Sequence, residues 1–202
     1  PQDVRFTSET DSINASVLGL DAVEGTPEFD AYVHQLFVEM TTKAGQKCTA
    51  IRRAIVPGHL ADAVVDALRA KVADRVVIGD PHVERVTMGP LVSIEQRDDV
   101  LAQVNRLLAA GGRTVLGSLE APEVVHADDS VAPAPDGAFL SPILLAFDDP
   151  FSSAVHEVEA FGPVASILPY TTVEQAADLV GRGGGSLVTS VVTHDPLFAT
   201  EM

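Results

Sequence analysis

Short apolar runs alternate along this chain with longer segments of helical period, and Gly or Pro separates most of them. Strand after helix after strand is the pattern of an α/β fold, a mostly parallel sheet with helices on both faces. Residues 14–20 read as a short buried strand. Gly25-Thr26-Pro27 predicts a turn, with Thr26 as N-cap and Pro27 at the first helical position. The following helix carries Phe29, Val33, Leu36, Phe37 and Met40 as a core stripe to about Lys43, and Gly45 fits its stop. Residues 51–56 form a strand closed by Pro57-Gly58, and a helix from about Leu60 to Val72 turns Val64, Val65 and Leu68 to one face. Ser93-Ile94-Glu95-Gln96 is a capping-box pattern that opens a helix through Leu108, ended by Gly111-Gly112. Residues 114–116, 139–147, 164–168 and 187–193 read as further strands, with a helix over 172–180. Residues 120–137, rich in Ala, Pro and Asp, read as an exposed loop. No repeat and no linker divides the chain, which predicts one domain over residues 1–202.

Charge narrows the partners. Twenty-nine acidic residues against 13 Lys and Arg give a net charge of −16, which disfavours nucleic acid and anionic membranes. No apolar run approaches the roughly 20 residues that span a bilayer, and residues 1–5 lack the apolar region of a signal peptide. A mean hydropathy of +0.20 argues against disorder. The six histidines are scattered without metal-ligand spacing, so no metal is expected. One cysteine, Cys48, excludes an internal disulfide and a Cys₄ zinc site. An unpaired thiol fits a reducing, cytoplasmic compartment.

A lone cysteine is either a small buried hydrophobe or a nucleophile. Its setting decides which reading is pursued. Gly45-Gln46-x-Cys48-Thr49-Ala50 resembles the nucleophile segment of the aldehyde dehydrogenase superfamily. Met88-Gly89-Pro90-Leu91-Val92 resembles its MGPL turn, and Phe139-Leu140-Ser141-Pro142-Ile143-Leu144-Leu145 is similar to its F-x-x-P-T-V-L strand. Glu159-Ala160-Phe161-Gly162-Pro163-Val164 resembles its E-x-F-G-P-V cofactor box. Four matches in the family's order cover most of the chain.

The resemblance implies roles for four residues. Cys48 would be the nucleophile that forms a thiohemiacetal and then a thioester, with an amide of the Thr49-Ala50 turn facing the oxyanion. Glu9 aligns with the general base that activates water, although Ser8-Glu9-Thr10-Asp11-Ser12 departs from the usual E-L-G-G-K-S. Glu159 would bind the nicotinamide-ribose hydroxyls, and Phe161 would pack beside the nicotinamide of NADP or NAD. The E-x-F-G-P spacing selects Glu159 over Glu157. Lys47 reads as solvated, His156 as a solvated loop residue, and the pair Arg52 and Arg53 as strand-edge charges on opposite faces.

The Glu9 segment and the run from Ala44 to Arg53 narrow the resemblance to a phenylacetate-degradation subgroup, in which the dehydrogenase is fused to a MaoC-like hydratase. Its substrate is a CoA-linked aldehyde, 3-oxo-5,6-dehydrosuberyl-CoA semialdehyde. The benzoate-breakdown relatives that oxidise 3,4-dehydroadipyl-CoA semialdehyde share these motifs, and both substrates stay open. Two further readings remain: a CoA-acylating or reductive relative, and a non-catalytic interaction domain with Cys48 buried. Without an initiator Met, and with a last helix opened by Asp195-Pro196 near the end, the chain reads as a fragment. On that reading the dinucleotide-binding domain and the oxyanion-hole asparagine lie outside it, the fragment alone is inactive, and the full-length enzyme is a homo-oligomer.

Overall fold

A computed structural model describes residues 12–184 and 186–202. Its chain order is β1 (Asn14–Leu18), α1 (Pro27–Thr41), β2 (Ile51–Pro57), α2 (Ala61–Arg75), α3 (Ile94–Ala109), β3 (Arg113–Leu116), β4 (Glu123–Val125), β5 (Val131–Pro133), β6 (Ile143–Ala146), α4 (Ser153–Glu157), β7 (Val164–Tyr170), α5 (Val173–Gly181), β8 (Thr189–Val192) and α6 (Pro196–Glu201). Six strands form one sheet in the order β3-β6-β7-β2-β1-β8. All neighbours run parallel except the edge pair of β3 and β6.

The burial of the strands follows from that order. Every residue of β1 and β2 is buried, as expected where helices cover both faces of a parallel sheet. On one face Ala54, Val56, Leu144, Ala165 and Ile167 meet Phe29, Leu36 and Met40 of α1 and Val64 and Leu68 of α2. On the other, Val17, Ile55, Leu145 and Leu168 meet Val100, Val104 and Leu107 of α3 and Leu179 of α5. The caps read from the sequence at Thr26 and Ser93 are present, and Thr172 adds one for α5. The hydroxyls of Thr26, Ser93 and Thr172 accept from the amides of Phe29, Gln96 and Gln175, and Pro27 and Pro196 open their helices.

Several expectations need correction. Residues 120–137 are not simply a loop: β4 and β5 form a small antiparallel hairpin whose Val124 and Val125 are buried. Val125 also bridges to Gly79, which ties the hairpin to the segment after α2. The strand expected over 139–147 is confined to β6, and the short helix α4 had no sequence signal. Three-residue strands and a five-residue helix are too short to leave a readable period.

Candidate active site

Ser12 precedes β1, Cys48 precedes β2, and Glu159 and Phe161 precede β7, so three adjacent strands of the sheet centre present these side chains from their amino ends. Open α/β sheets usually bind ligands at the carboxyl ends of their strands. Cys48, Ser12, Glu159 and Phe161 line one pocket of about 510 Å³. Gln96, Asp99, Gln103 and Arg106 close its far side from successive turns of α3. Cys48 is exposed to this pocket, not buried.

The turn that carries Cys48 is unusual. Helix α1 ends at Thr41, and a 3₁₀ turn over Thr42–Gly45 follows in which Lys43 (φ 54°), Ala44 (φ 50°) and Gly45 (φ 69°) are all left-handed. For Lys43 and Ala44 that conformation is strained by about 1–2 kcal/mol each, and such strain gathers at functional sites. At Gly45 a side chain is excluded twice, since a Cβ there would lie 2.1 Å from the Gly162 carbonyl oxygen. The turn bearing Cys48 and the turn bearing Phe161 therefore touch backbone to backbone.

Polar side chains fix this arrangement from behind. Asn14 Nδ2 donates to the carbonyl oxygens of Cys48 (2.8 Å) and Ala50 (3.0 Å). Its Oδ1 accepts from the amides of Leu187 (2.9 Å) and Val188 (3.0 Å). All four hydrogen-bonding positions of that amide are filled. Gln46 Oε1 accepts from the amide of Val92, joining the nucleophile turn to the Met88–Val92 turn. The Ala50 amide is committed to the Lys47 carbonyl.

Glu159 accepts from the Ser12 hydroxyl (2.9 Å) and amide (3.2 Å). Arg52 lies behind it, with Nε 3.7 Å from Glu159 Oε1. Arg52 is 5% exposed and Arg53 fully buried, so neither is a strand-edge charge. β2 lies in the middle of the sheet, where no sequence rule places a charge. Each guanidinium donates to carbonyl oxygens, and burial pulls both down to about 10, Glu159 partly opposing this for Arg52.

Two more assignments change. His156 is buried, with Nε2 2.8 Å from the Pro150 carbonyl and Nδ1 3.0 Å from Arg53 Nη1. Burial holds its ring below the usual imidazole range, and Arg53 adds to that. Lys47 is paired with Glu39 at 2.8 Å and is not simply solvated. Glu157 is exposed on the same pocket wall but lacks the Ser12 and Arg52 partners of Glu159. Glu9 lies outside the described residues.

Sequence reasoning missed Asn14 and Arg52. Asn14 carried a faint signal, because Asn is depleted in strands and stands here at the head of an apolar run. Among the described residues, no three His, Cys, Asp or Glu side chains are placed to hold a metal ion, and no helix is long and apolar enough to cross a membrane.

Comparison with known proteins identifies the family and the fold. The aldehyde dehydrogenase family model matches residues 8–202. The whole chain is 41% identical to 3,4-dehydroadipyl-CoA semialdehyde dehydrogenase from Aromatoleum evansii, of which it covers 38%. Over 115 residues, 56% of this chain and 31% of the relative, it is 44% identical to Protein MaoC from Klebsiella aerogenes. A betaine aldehyde dehydrogenase from Staphylococcus aureus, solved in complex with NAD+, has the same fold. It superposes with a TM-score of 0.76 over 95% of this chain and 36% of that one, at 24% identity. The chain thus spans well under half the length of the relatives it matches.

Proposed function

This chain belongs to the aldehyde dehydrogenase family, and from that premise we propose that it is the nucleophile-bearing domain of an enzyme that oxidises a CoA-linked semialdehyde to its acid. The observation that carries this reading is the convergence of the Cys48 thiol, the Glu159 carboxylate and the Phe161 ring on one pocket. The residues present fit a nicotinamide dinucleotide. Glu159 keeps acceptor capacity beyond its two bonds to Ser12, enough for a ribose diol, and Phe161 offers a flat apolar face. NAD or NADP, when bound, supplies the hydride acceptor.

In this scheme the Cys48 thiolate adds to the aldehyde carbon, and the oxygen takes the negative charge as a thiohemiacetal. The Cys48 and Thr49 amides face that oxygen. Loss of hydride from the same carbon restores the carbonyl as a thioester on Cys48. Glu9 then takes a proton from water, the resulting hydroxide attacks the thioester, and the acid leaves as the Cys48 thiolate is regenerated.

Identity along the whole chain to a 3,4-dehydroadipyl-CoA semialdehyde dehydrogenase supports a CoA-linked substrate. The match to Protein MaoC supports the phenylacetate-type alternative, with a hydratase in the same polypeptide. In this reading the cofactor domain lies in the parts of the relatives that this chain does not span, and the intact enzyme is a homo-oligomer.

The test is kinetic. In the intact protein, Cys48→Ser should abolish NAD(P)-dependent oxidation of a CoA semialdehyde, and Glu9→Gln should stall turnover after a first burst of reduced cofactor. Full turnover by E9Q with release of an acyl-CoA thioester would instead identify a CoA-acylating enzyme. Alkylation of Cys48 by iodoacetamide at the rate of an ordinary thiol, together with no turnover, would favour the interaction-domain reading.

A further inference from the structure

Resting on that reading, we propose that Arg52 is a positioning residue that fixes the distance between the nucleophile turn and the Glu159–Phe161 turn. The two turns come from segments more than a hundred residues apart in sequence, and their backbones abut where Gly45 meets Gly162. Arg52 straddles that seam. Its Nη2 donates to the Gly45 carbonyl at 2.8 Å and its Nη1 to the Gly162 carbonyl at 2.6 Å, with Val164 O at 3.4 Å. Its guanidinium carbon lies 5.3 Å from the centroid of the Phe161 ring, within cation–π range. One side chain therefore touches the turn of Cys48, the turn of Phe161, and the ring expected to flank the nicotinamide.

The fourth contact is incomplete, which separates this arginine from a purely structural one. Among the described residues Arg52 Nε is buried without a hydrogen-bond partner, and it faces Glu159 Oε1 at 3.7 Å. Buried donors are nearly always satisfied, so an orphan aimed at a carboxylate is an exception that needs a reason. Glu159 is held on its other side by Ser12. Ligand hydroxyls that compete with Ser12 for the carboxylate would leave Arg52 as its fixed partner, and a shift of less than about 1 Å would close the Nε bond. Arg52 then sets where the cofactor end of the site stands relative to the thiol. A misplacement of about 1 Å between reacting groups costs on the order of a hundredfold in rate. Lysine cannot replace it, because a single ammonium cannot span two carbonyls in the geometry of a guanidinium fork.

The experiment compares Arg52→Met and Arg52→Lys with the parent in the intact protein. Each is read by cofactor Kd, by the kcat and KM of aldehyde oxidation, and by the iodoacetamide alkylation rate of Cys48 without cofactor. R52M should weaken cofactor binding about tenfold, lower kcat by about tenfold or more, and slow Cys48 alkylation severalfold, since the turn that presents the thiol loses its anchor at the Gly45 carbonyl. R52K should recover the alkylation rate, because an ammonium can still hold the Gly45 carbonyl, but not the cofactor Kd or kcat, because the fork that also grips Gly162 is lost. That split distinguishes positioning from a general loss of fold, which would move all readouts together with the unfolding midpoint. If R52M does not fold, R52K still decides: parent-like Kd and kcat in R52K overturn the proposal. So does an R52M that folds and matches the parent in all three readouts. C48S separates this from the underlying reading. Aldehyde oxidation retained in C48S sinks the reading itself, whereas an inactive C48S beside an unaltered R52M sinks only the role of Arg52.

Discussion

Arg52 and Arg53 are consecutive on one central strand, yet they serve opposite faces of the sheet by different rules. Arg53 Nε donates to Ile13 O at 3.0 Å, and its two terminal nitrogens reach Leu179 O at 2.5 Å and Val180 O at 3.2 Å, with His156 beside them. Every nitrogen of that guanidinium has a partner, and Gly183 must lack a side chain because a Cβ there would lie 1.9 Å from Arg53 Nη2. Arg52 also rests on carbonyls but leaves Nε open toward Glu159. The contrast teaches that a buried cation satisfied on all sides locks a scaffold, whereas one with an open donor at a pocket has capacity left for function. Oriented carbonyl dipoles stabilise both charges, and only Arg52 has a carboxylate, Glu159 at 3.7 Å, beside it.

The largest effect expected from breaking this comparison is on the closed side. Arg53→Met would strip the Leu179 carbonyl of its 2.5 Å partner and remove one of the partners of the Ile13 and Val180 carbonyls, which keep Ser186 Oγ and the Gly183 amide, at about 1–3 kcal/mol for a buried group left unpaired and about 1 kcal/mol for each other bond lost. We expect a loss of several kcal/mol, read as a collapse of the thermal unfolding midpoint, and only insoluble or molten protein at elevated temperature. An R53M protein as stable as R52M would erase the distinction between the two arginines.

Asn14→Ala comes next. It removes four hydrogen bonds at about 1 kcal/mol each and frees the nucleophile turn from β1. Stability should fall by a few kcal/mol. In protein that remains folded, Cys48 alkylation should change as well, because the Cys48 carbonyl loses its anchor. Unchanged alkylation would assign Asn14 to the scaffold alone.

His156 gives the Arg53 side a pH signature. Burial places its folded pKa below the unfolded value of about 6.5. Above that value the ring is neutral in both states and contributes no slope. As pH falls through about 6.5 the unfolded chain takes up the proton and the folded chain does not, so stability is lost toward acid. Its charged neighbours Arg53 and Arg182 reinforce this, and Asp178 opposes it. The unfolding midpoint of the parent should therefore drop more between pH 7.5 and 5.5 than that of His156→Gln, by about 2–4 °C for each kcal/mol involved. Parallel pH profiles would remove His156 as the cause.

The smallest effect sharpens the open side. Lys47 is next to Cys48 in sequence, but its ammonium is held by Glu39. Lys47→Met should cost about 1 kcal/mol or less and alter the Cys48 alkylation rate less than twofold, unlike R52M. A severalfold drop in K47M would move the role in presenting the thiol from Arg52 to Lys47.

Much of this was legible in the chain itself. The helices with strong caps, α1, α3 and α5, start where Thr26, Ser93 and Thr172 place them, because capping is a local interaction between residues three apart. The apolar runs of β1, β2 and β7 and the alternation of strands with helices announced a mostly parallel sheet. Gly45, Cys48, Glu159 and Phe161 stood out through the motifs that contain them. The hairpin of β4 and β5 was hidden, because its stability comes from Val125 meeting Gly79 across the fold and not from its own period.

What the sequence determined by itself is the set of local choices: where helices begin, which faces are apolar, and which segments carry a thiol or a carboxylate. Only the tertiary structure decided that Ser12, Cys48, Glu159 and Phe161 meet at the amino ends of three neighbouring strands. It alone reversed the reading of Arg52, Arg53 and His156 from solvated charges to buried ones. The physical reason is range. Caps and periods act over a few residues, whereas the burial of a charge depends on carbonyls brought to it from segments more than a hundred positions away.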